Sequence, residues 1–335
     1  MKRLNFAIIG CGRIAERHAK QIATYGKLVA VCDVVQQKAS QLGNEYQAAT
    51  YIDYKQILQE AKADVVVICT PNGLHAMQAI EALEAGFHVL VEKPMAISSG
   101  DCKAMMAAAE KANRRLFVVK QNRYNPPVAA VKQLLDSGQL GELYSAQINC
   151  YWNRPPAYYN DGWRGTKELD GGTLYTQFSH FVDLLYWMFG DVDNITAFTG
   201  NYAHKKIICF EDCGIVNMKM NNGMLAALHY TVNSFSKNME GSITLFSEKA
   251  TVKIGGEYLN TLEYQATDGL VIDVEQKPTQ ANDYGFYQGS MSNHHKVYQH
   301  LAECLSGDAA FETNAFEAYK AVEIIERIYA AAVNN

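Results

Sequence analysis

Two polar side chains in this sequence stand where chemistry is commonly done. Lys93 follows the apolar run Phe87–Val91. The carboxyl end of a buried parallel strand is where doubly wound sheets bind their ligands, although a single lysine is more often a solvated surface residue. His180 lies in a strongly apolar helical stretch. A histidine there is either a hydrogen-bonded core residue or a general base that titrates near neutral pH. On these residues alone, both alternatives stay open for Lys93 and for His180.

The helix that carries His180 is predicted to follow Asp170-Gly171-Gly172 and to end near Phe189. A helical repeat places four of its residues on one face, because they recur at steps of four, three and four. These residues are Thr176, His180, Asp183 and Trp187. Asp183 lies one turn after His180. It either orients the imidazole or only forms hydrogen bonds along the helix face.

A glycine-rich turn separates the first predicted strand from the first predicted helix, and its residues are Gly10-Cys11-Gly12-Arg13-Ile14-Ala15. The first glycine permits a tight turn, the second lets the backbone approach a pyrophosphate, and Ala15 allows close packing of helix and strand. Asp33 ends the second strand, 21 residues after Gly12. A carboxylate there accepts hydrogen bonds from ribose hydroxyls and repels a 2′-phosphate. The pattern predicts NAD as cofactor, the alternative being a chance pair of glycines in a turn.

The predicted elements divide the chain into two domains. Up to about residue 121, helices alternate with near-continuous apolar runs, namely Leu4–Gly10, Leu28–Asp33, Asp64–Cys69, Phe87–Val91 and Leu116–Lys120. Such runs indicate a parallel sheet covered on both faces. Later strands show alternating patterns, namely Leu143–Trp152, Ile207–Met220, Met224–Val232 and Gly241–Phe246. Two helices, roughly 293–305 and 314–332, close the chain. The fold class is α/β, with a Rossmann doubly wound parallel sheet in 1–121 followed by an α+β domain with a mostly antiparallel sheet in 122–335.

Composition narrows the class of protein. The 335 residues are 48% apolar and 19% charged, with a net charge of −5, which excludes a disordered chain and disfavours a general nucleic-acid binder. No apolar run approaches the roughly 18 residues of a membrane helix. The N-terminal apolar stretch ends at Gly10 with no small-residue cleavage site, which argues against export. The eight cysteines are scattered, and Cys209 and Cys213 lack a second ligand pair. We expect a reduced cytoplasmic protein without a metal site.

Three motifs together resemble the Gfo/Idh/MocA family of NAD(P)-dependent oxidoreductases over nearly the whole chain. They are the Gly10–Ala15 turn, Thr70-Pro71-Asn72 with His75, and Glu92-Lys93-Pro94. The resemblance implies that Lys93 lies beside the nicotinamide and the reacting carbinol, with His180 within reach. It makes Lys93 and His180 the predicted catalytic pair, with His180 as base or proton relay and Lys93 as its cationic partner. It makes Lys93-Pro94 a candidate for a cis peptide bond. The cofactor contacts it implies are Gly10, Gly12, Arg13, Ile14, Asp33, Thr70, Pro71, Asn72, His75, Glu92, Lys93, Gln121, Trp163 and Arg164.

The sequence departs from the family pattern at Thr176. Inositol-dehydrogenase-like members carry an aspartate one turn before the histidine, so the departure makes an inositol or a simple sugar a poorer fit. Between Arg114 and Lys167 there are eight Lys or Arg residues against three Asp or Glu. This stretch is either a solvated basic face or a site for an anionic substrate. The predicted substrate contacts are Lys93, Arg123, Tyr124, Asn125, Arg154, Thr176, Gln177, His180, Asn293 and His294.

One branch of the family is the most similar in the segments 121–126, 152–154 and 289–294. That branch contains the UDP-2-acetamido-2-deoxyglucuronate 3-dehydrogenases of surface-polysaccharide biosynthesis. The resemblance implies NAD-dependent oxidation of the 3′-hydroxyl of a nucleotide sugar by a homodimer or homotetramer. Two alternatives stay open. One is a dehydrogenase of a free or phosphorylated sugar or cyclitol. The other is a non-catalytic NAD(H)-binding regulator, which would need neither Lys93 nor His180. Asn293 can also be a simple helix N-cap.

Overall fold

The structure, a computed structural model, describes residues 3–274, 281–283, 288–307 and 315–333. Internal contacts divide the chain into two units. The first unit comprises Met1–Lys120 and His294–Val322, and the second comprises Gln121–Asn293 and Glu323–Asn335. The sequence-based division at 121/122 assigned both closing helices to the second domain, whereas these contacts count residues 294–322 with the first unit.

The first unit is built on a six-stranded sheet. Its strands are β1 (Leu4–Ile9), β2 (Gly26–Cys32), β3 (Ala49–Tyr51), β4 (Val65–Ile68), β5 (His88–Val91) and β6 (Leu116–Val118). They lie in the order β3-β2-β1-β4-β5-β6, and every pair is parallel. This is the doubly wound order that the sequence predicts. The central strand β4 is buried along its whole length, because helices cover both faces of such a sheet.

Five helices of the first unit alternate with these strands: α1 (Arg13–Tyr25), α2 (Gln36–Tyr46), α3 (Tyr54–Glu60), α4 (His75–Glu84) and α5 (Ser99–Lys111). Side chains cap two of them. Asp53 accepts a hydrogen bond from the backbone N–H of Lys55, and Ser98 accepts one from Asp101. The N-terminus of α1 has no side-chain cap.

The second unit contains α6 (Pro126–Asp136), α7 (Ser179–Phe189) and a seven-stranded sheet. The strands of that sheet are β7 (Leu143–Tyr151), β8 (Val192–Gly200), β9 (Cys213–Met220), β10 (Leu225–Thr231), β11 (Glu240–Ser247), β12 (Ala250–Gly255) and β13 (Thr261–Thr267). Their order is β13-β12-β11-β7-β10-β9-β8. Only β7 and β10 pair in parallel within this sheet. A small hairpin, β14 (Ala281–Asp283) and β15 (Gln288–Met291), is separate.

Two details of the second unit differ from the sequence prediction. The strand predicted over 207–220 begins only at Cys213. The carboxylate of Asp212 accepts backbone hydrogen bonds from Tyr202, Ala203 and His204, and so folds the preceding residues into a turn. The helix predicted after residue 172 begins as a π-helical turn, Leu174–Phe178, before α7.

The chain closes with α8 (His294–Ser306) and α9 (Ala315–Val333). α8 packs against α1 in the first unit. Tyr298 of α8 is fully buried, and its ring lies 5.7 Å from that of Phe6 and 6.4 Å from that of Tyr25. This contact places α8 with the Rossmann sheet. Residue 314, the predicted start of the last helix, lies outside the described residues. None of the described helices combines the length and the apolar character needed to cross a membrane.

Candidate active site

The glycine-rich turn of the first unit has the shape of a phosphate cradle. Gly10 has φ +91°, and a Cβ at this position would lie 2.7 Å from the carbonyl carbon of Cys69, so only glycine fits. At Gly12 an added Cβ would meet no described atom within 4 Å. Gly12 is also the N-cap of α1. Open space beside uncapped helix N–H groups fits the pyrophosphate of a dinucleotide.

Asp33 lies at the end of β2, beside this turn. Its carboxylate accepts backbone hydrogen bonds from Cys11 and Val35, each 2.8 Å long. A carboxylate has about four acceptor positions, so two bonds leave capacity for ribose hydroxyls. Val34 is 89% exposed and follows directly, which places an apolar side chain where a nucleotide base can pack.

We expect Asp33→Ser to weaken NAD binding about 10–100-fold, because hydrogen bonds to a charged group contribute about 1.5–3 kcal/mol. NADP binding should weaken less or improve, since the repulsion of a 2′-phosphate is removed. Titration of the protein with each cofactor measures both affinities, and Glu84→Gln, at the exposed end of α4, is the matched control. An unchanged ratio of the NAD and NADP affinities would contradict the assignment.

Two loops at the carboxyl ends of β4 and β5 are joined by His75. Its ring nitrogens lie 2.9 Å from the carbonyl oxygen of Thr70 and 2.8 Å from that of Pro94. The Lys93-Pro94 peptide bond is cis, as the resemblance implied. His75 is buried, and so are Asn72 and Glu92. His75 thus supports the loop that carries Lys93, and all three of these predicted cofactor residues are buried.

His180 lies in the first turn of α7 and is buried within the second unit. The side-chain nitrogen of Gln121 lies 3.2 Å from Nε2 of His180. An amide nitrogen can only donate, so with this amide orientation Nε2 accepts, and the imidazole is neutral with its proton on Nδ1. A neutral imidazole with a lone pair on Nε2 is the form that can act as a base.

Asp183 pairs with Arg123. The Arg123 guanidinium donates to both carboxylate oxygens of Asp183, at 2.8 and 2.7 Å, and both side chains are buried. The same guanidinium lies 4.9 Å from the ring centroid of Trp187. His180, Asp183 and Trp187 therefore face the 3₁₀ turn Gln121–Tyr124, and Arg123 holds that turn to α7.

Thr176, the fourth residue of the predicted helix face, is directed to Asp170 instead. Its hydroxyl donates to the Asp170 carboxylate, which also accepts the backbone N–H of Gly165 at 2.7 Å. The π-helical turn contains an extra residue, so the α-helical repeat does not continue through it. Burial raises the pKa of Asp170 to about 6, despite the hydrogen bonds from Thr176 and Gly165. A carboxyl group therefore lies beside Thr176, although the helix itself lacks one there.

Because the native pKa of Asp170 is raised above its unfolded value, the native state binds this proton more tightly. Its contribution to stability is present at low pH and is lost as the pH rises from about 4 through about 6. We expect Asp170→Asn to raise the free energy of unfolding at pH 8 by up to about 3 kcal/mol, and by about half as much at pH 5. Denaturant unfolding at the two pH values measures the difference, with Asp268→Asn, at an exposed residue after β13, as control. An equal effect at both pH values would contradict the buried acid.

Two guanidinium groups of the basic stretch lie against the ring of Tyr158. The Arg154 guanidinium is 5.3 Å and that of Arg164 4.5 Å from the ring centroid. Arg154 also donates to the Gln177 side chain at 2.6 Å, and Gln177 donates to the Tyr158 hydroxyl at 2.7 Å. Arg164 contacts the ring of Trp163 and pairs with the partly exposed Asp161. Arg154 further donates to the carbonyl of Asn153 and to the side chain of Asn238, at 2.7 and 3.2 Å. This arginine cluster of Arg154 and Arg164 concentrates positive charge within the second unit, and such charge favours an anionic ligand.

The amide side chains of Asn125 and Asn293 are bonded to protein groups. Asn125 donates to the backbone carbonyls of Tyr258 and Leu259 at 2.9 and 3.1 Å. Asn293 donates to the side chain of Asn125 at 2.7 Å and to the carbonyl of Gln121 at 3.3 Å. Both asparagines are buried. They hold the 121–125 segment in place, and Tyr124 in that segment is half-buried.

The structure also brings together three residues that sequence analysis did not connect. His18, Glu92 and His294 are buried in the first unit, and their ligand-type atoms all lie within 4.8 Å of one another. Sequence analysis singled out Glu92 and His294 but missed His18. The signal was present, since His18 falls on the helical repeat of the buried residues Ala15, Ala19 and Ile22.

The comparisons with known proteins identify the class. Residues 4–120 match the NAD-binding Rossmann fold of the oxidoreductase family Gfo/Idh/MocA, and residues 128–253 match the C-terminal domain of the same family. The chain belongs to the Gfo/Idh/MocA oxidoreductase family. The predicted family, the α/β fold class and the NAD-binding domain are thereby confirmed.

Two solved structures are similar over the whole chain. One is the WlbA dehydrogenase from Bordetella pertussis in complex with NADH and UDP-GlcNAcA. It is 34% identical to this chain, with a TM-score of 0.88, and the match covers 99% of this chain and 97% of that one. The other is the WlbA dehydrogenase from Chromobacterium violaceum with the same two ligands, 35% identical with a TM-score of 0.91 and covering 100% and 95%.

The curated relatives match over shorter regions. Oxidoreductase P35 of Formosa agariphila is 30% identical over 58% of this chain and 63% of its own length. The inositol 2-dehydrogenase of Salmonella typhimurium is 27% identical over 56% of this chain and 55% of its own length. The chain thus spans only about half to two thirds of the length of these relatives.

Proposed function

We propose that this protein is an NAD-dependent dehydrogenase that oxidises the 3′-hydroxyl of a UDP-linked N-acetylated hexuronic acid, UDP-2-acetamido-2-deoxyglucuronate. The observation that carries the proposal is the arginine cluster of Arg154 and Arg164 around Tyr158, because such a cluster favours an anionic sugar derivative over a neutral sugar. The two WlbA dehydrogenases, crystallised with NADH and UDP-GlcNAcA, support the same substrate class.

In this proposal the two catalytic residues have separate roles. Oxidation of a secondary alcohol removes a proton from oxygen and a hydride from carbon and leaves a carbonyl group. Nε2 of His180 takes the hydroxyl proton once the substrate hydroxyl replaces the Gln121 amide as its hydrogen-bond donor. The Lys93 ammonium stabilises the negative charge that develops on the oxygen. NAD, held at the Gly10–Ala15 turn and Asp33, supplies the hydride acceptor when bound.

A stoichiometric reaction tests the proposal most directly. The protein is mixed with an equal amount of NAD and with UDP-2-acetamido-2-deoxyglucuronate, and the absorbance of reduced nicotinamide is recorded, because tightly held NADH would hide a steady rate. A burst is expected with this substrate, and none with UDP-N-acetylglucosamine, which lacks the carboxylate, or with myo-inositol, glucose or glucose 6-phosphate. A burst only with one of those compounds would contradict the substrate assignment. Silence with all of them, despite NAD binding, would favour a regulator.

We further propose that the protein is a homodimer or homotetramer that works in the cytoplasm. One face of the seven-stranded sheet carries exposed apolar side chains on four strands, namely Phe198, Ile215, Leu225 and Phe246. An apolar patch of this kind is typical of an interface. All eight cysteines are free thiols, as in a reducing compartment.

Light scattering during gel filtration measures the oligomeric state. We expect a mass of two or four chains for the wild-type protein. Phe198→Glu on the exposed sheet face should shift the mass towards one chain, whereas Tyr202→Glu, at an exposed residue outside the strands, should not. A monomeric wild-type protein would contradict the proposal.

A further inference from the structure

We propose that His18 is a positioning residue that holds the Glu92 carboxylate, beside His294, so that the carboxylate fixes the backbone of Lys93. The inference rests on the catalytic role proposed for Lys93. It assigns a role to the buried cluster of His18, Glu92 and His294, which we call the carboxylate clamp.

The contacts of the carboxylate clamp lead directly to the lysine. One oxygen of Glu92 lies 2.8 Å from Nε2 of His18 and 3.6 Å from Nε2 of His294. The other oxygen accepts the backbone N–H of Lys93 at 3.1 Å. His18, Glu92 and His294 are 0%, 7% and 2% exposed. Water therefore has little access to loosen these contacts. His18 of α1 holds the carboxylate by a hydrogen bond, whereas His294 of α8 packs beside it at more than hydrogen-bond distance.

Tyr298 fixes the direction of the hydrogen bonds. Its hydroxyl lies 2.8 Å from Nδ1 of His18. Burial raises the pKa of Tyr298 well above its usual value, so the hydroxyl keeps its proton and can donate. With Tyr298 donating to Nδ1, the Nε2–H of His18 donates to Glu92. The order is then Tyr298 to His18 to Glu92, with the Lys93 N–H donating to the same carboxylate.

The clamp keeps Glu92 ionised although the side chain is buried. Burial alone raises the pKa of a carboxyl group, but the interactions with His18, which donates at 2.8 Å, and with the nearby His294 outweigh this effect and hold the pKa of Glu92 well below its usual value. Hydrogen bonds to an ionised acceptor are about twice as strong as neutral ones. The charge on Glu92 therefore strengthens the bond that fixes Lys93.

A bound metal ion is the other possibility for two histidines and a glutamate. Two ligands of a tetrahedral zinc ion, at about 2.0–2.2 Å from the metal, lie roughly 3.3 Å apart. The 2.8 Å separation of His18 and Glu92 is shorter and is an ordinary hydrogen-bond distance. The geometry therefore favours a shared proton over a metal ion.

The position of the clamp explains why a dehydrogenase benefits from it. His18 belongs to α1, whose N-terminus forms the phosphate cradle at Gly12, and Lys93 follows Glu92 directly. One carboxylate thus couples the helix that receives the pyrophosphate to the loop that carries the reacting lysine. A reacting group must be held to within a fraction of an ångström for efficient catalysis.

Glu92→Gln, His18→Ala and His18→Gln test the inference with two readouts. The first is amide hydrogen exchange at Lys93, which needs no substrate. We expect at least tenfold faster exchange in Glu92→Gln and His18→Ala. In His18→Gln a side-chain N–H can again donate to Glu92, so exchange should return towards the wild-type rate. His88→Ala is the matched control, because His88 lies at the start of β5 and accepts a backbone bond from Arg115.

The second readout is steady-state or single-turnover kinetics. Glu92→Gln and His18→Ala should lower kcat about 10–100-fold, with KM and the NAD dissociation constant within about threefold of wild type, and His18→Gln should recover part of kcat. Unchanged Lys93 exchange, or a lower melting temperature with unchanged kcat, would overturn the inference and leave a purely structural cluster. Stoichiometric metal in the purified protein, with loss of activity on chelation, would overturn it in favour of a metal site.

The exchange measurement distinguishes a failure of the carboxylate clamp from a failure of the proposed function. If the wild-type protein oxidises none of the tested sugars, the proposed function fails. Faster Lys93 exchange in Glu92→Gln would still support the clamp. If sugar oxidation proceeds but the variants exchange and turn over like wild type, the clamp fails while the function stands.

Discussion

Lys93→Met should lower kcat by about 10³-fold while NAD still binds within about threefold of wild-type affinity. Methionine keeps the apolar stem of lysine but removes the ammonium charge that stabilises the developing alkoxide, and the loss of one such electrostatic group commonly costs 10²–10³-fold or more. The phosphate cradle and Asp33 do not depend on that charge. Single-turnover reduction of NAD measures the chemical step, and fluorescence titration measures cofactor binding.

A second catalytic variant and a control variant complete this test. His180→Ala should also lower kcat, by about 10²–10⁴-fold, because the general base is lost. Lys103→Met on α5 is the matched control, since this lysine lies near the ring of Tyr319 and has no proposed catalytic role. If Lys93→Met or His180→Ala abolished NAD binding or folding instead of turnover, that residue would be structural, and the proposed chemistry would be wrong.

Arg123→Met should lower the free energy of unfolding by about 3–5 kcal/mol, because it leaves the Asp183 carboxylate buried without its bidentate guanidinium. The double variant Arg123→Met/Asp183→Leu should recover most of this loss, since replacing both partners by apolar groups removes the uncompensated charge. Denaturant unfolding of the wild type, both single variants and the double variant gives the coupling energy.

The wild type and the three variants also distinguish a structural role of Arg123 from a direct substrate contact. If its main role is to hold the 121–124 turn to α7, the double variant should fold well and bind substrate within a few-fold of wild type. A folded double variant with a large loss of substrate affinity would instead support the direct substrate contact that sequence analysis predicts for Arg123. Additive effects of the two single changes would contradict a coupled buried pair.

The sequence predicted the first unit well because its signals are local. Each central strand is a short apolar run buried on both faces, and the Gly10–Ala15 turn stands between a strand and a helix. The outer strands of the second unit carry no such signal. β13 is mostly exposed along its length, and β8 buries few of its residues. Without regular alternation, only pairing with a neighbouring strand identifies them.

The site shows the same limit. Sequence analysis singled out Lys93, His180 and Asp33 from residue type, from their position beside predicted strands or helices, and from the family resemblance. The pairing of Thr176 with Asp170 was not, because a single extra residue in a π-helical turn does not show in the periodicity. For Asp183, sequence analysis left two roles open, orienting the His180 imidazole or forming hydrogen bonds along the helix face. Its pairing with Arg123 depends on a turn 60 residues earlier, and nothing local predicts that contact.

The packing of α8 against α1 has a consequence for how the protein is made. His18 and its partner Tyr298 are 280 residues apart in sequence. During synthesis α1 leaves the ribosome well before α8, the helix that covers it. Until α8 emerges, the buried face of α1 lacks its cover and the Lys93 loop lacks His294. The helix of the phosphate cradle is thus translated long before its packing is complete.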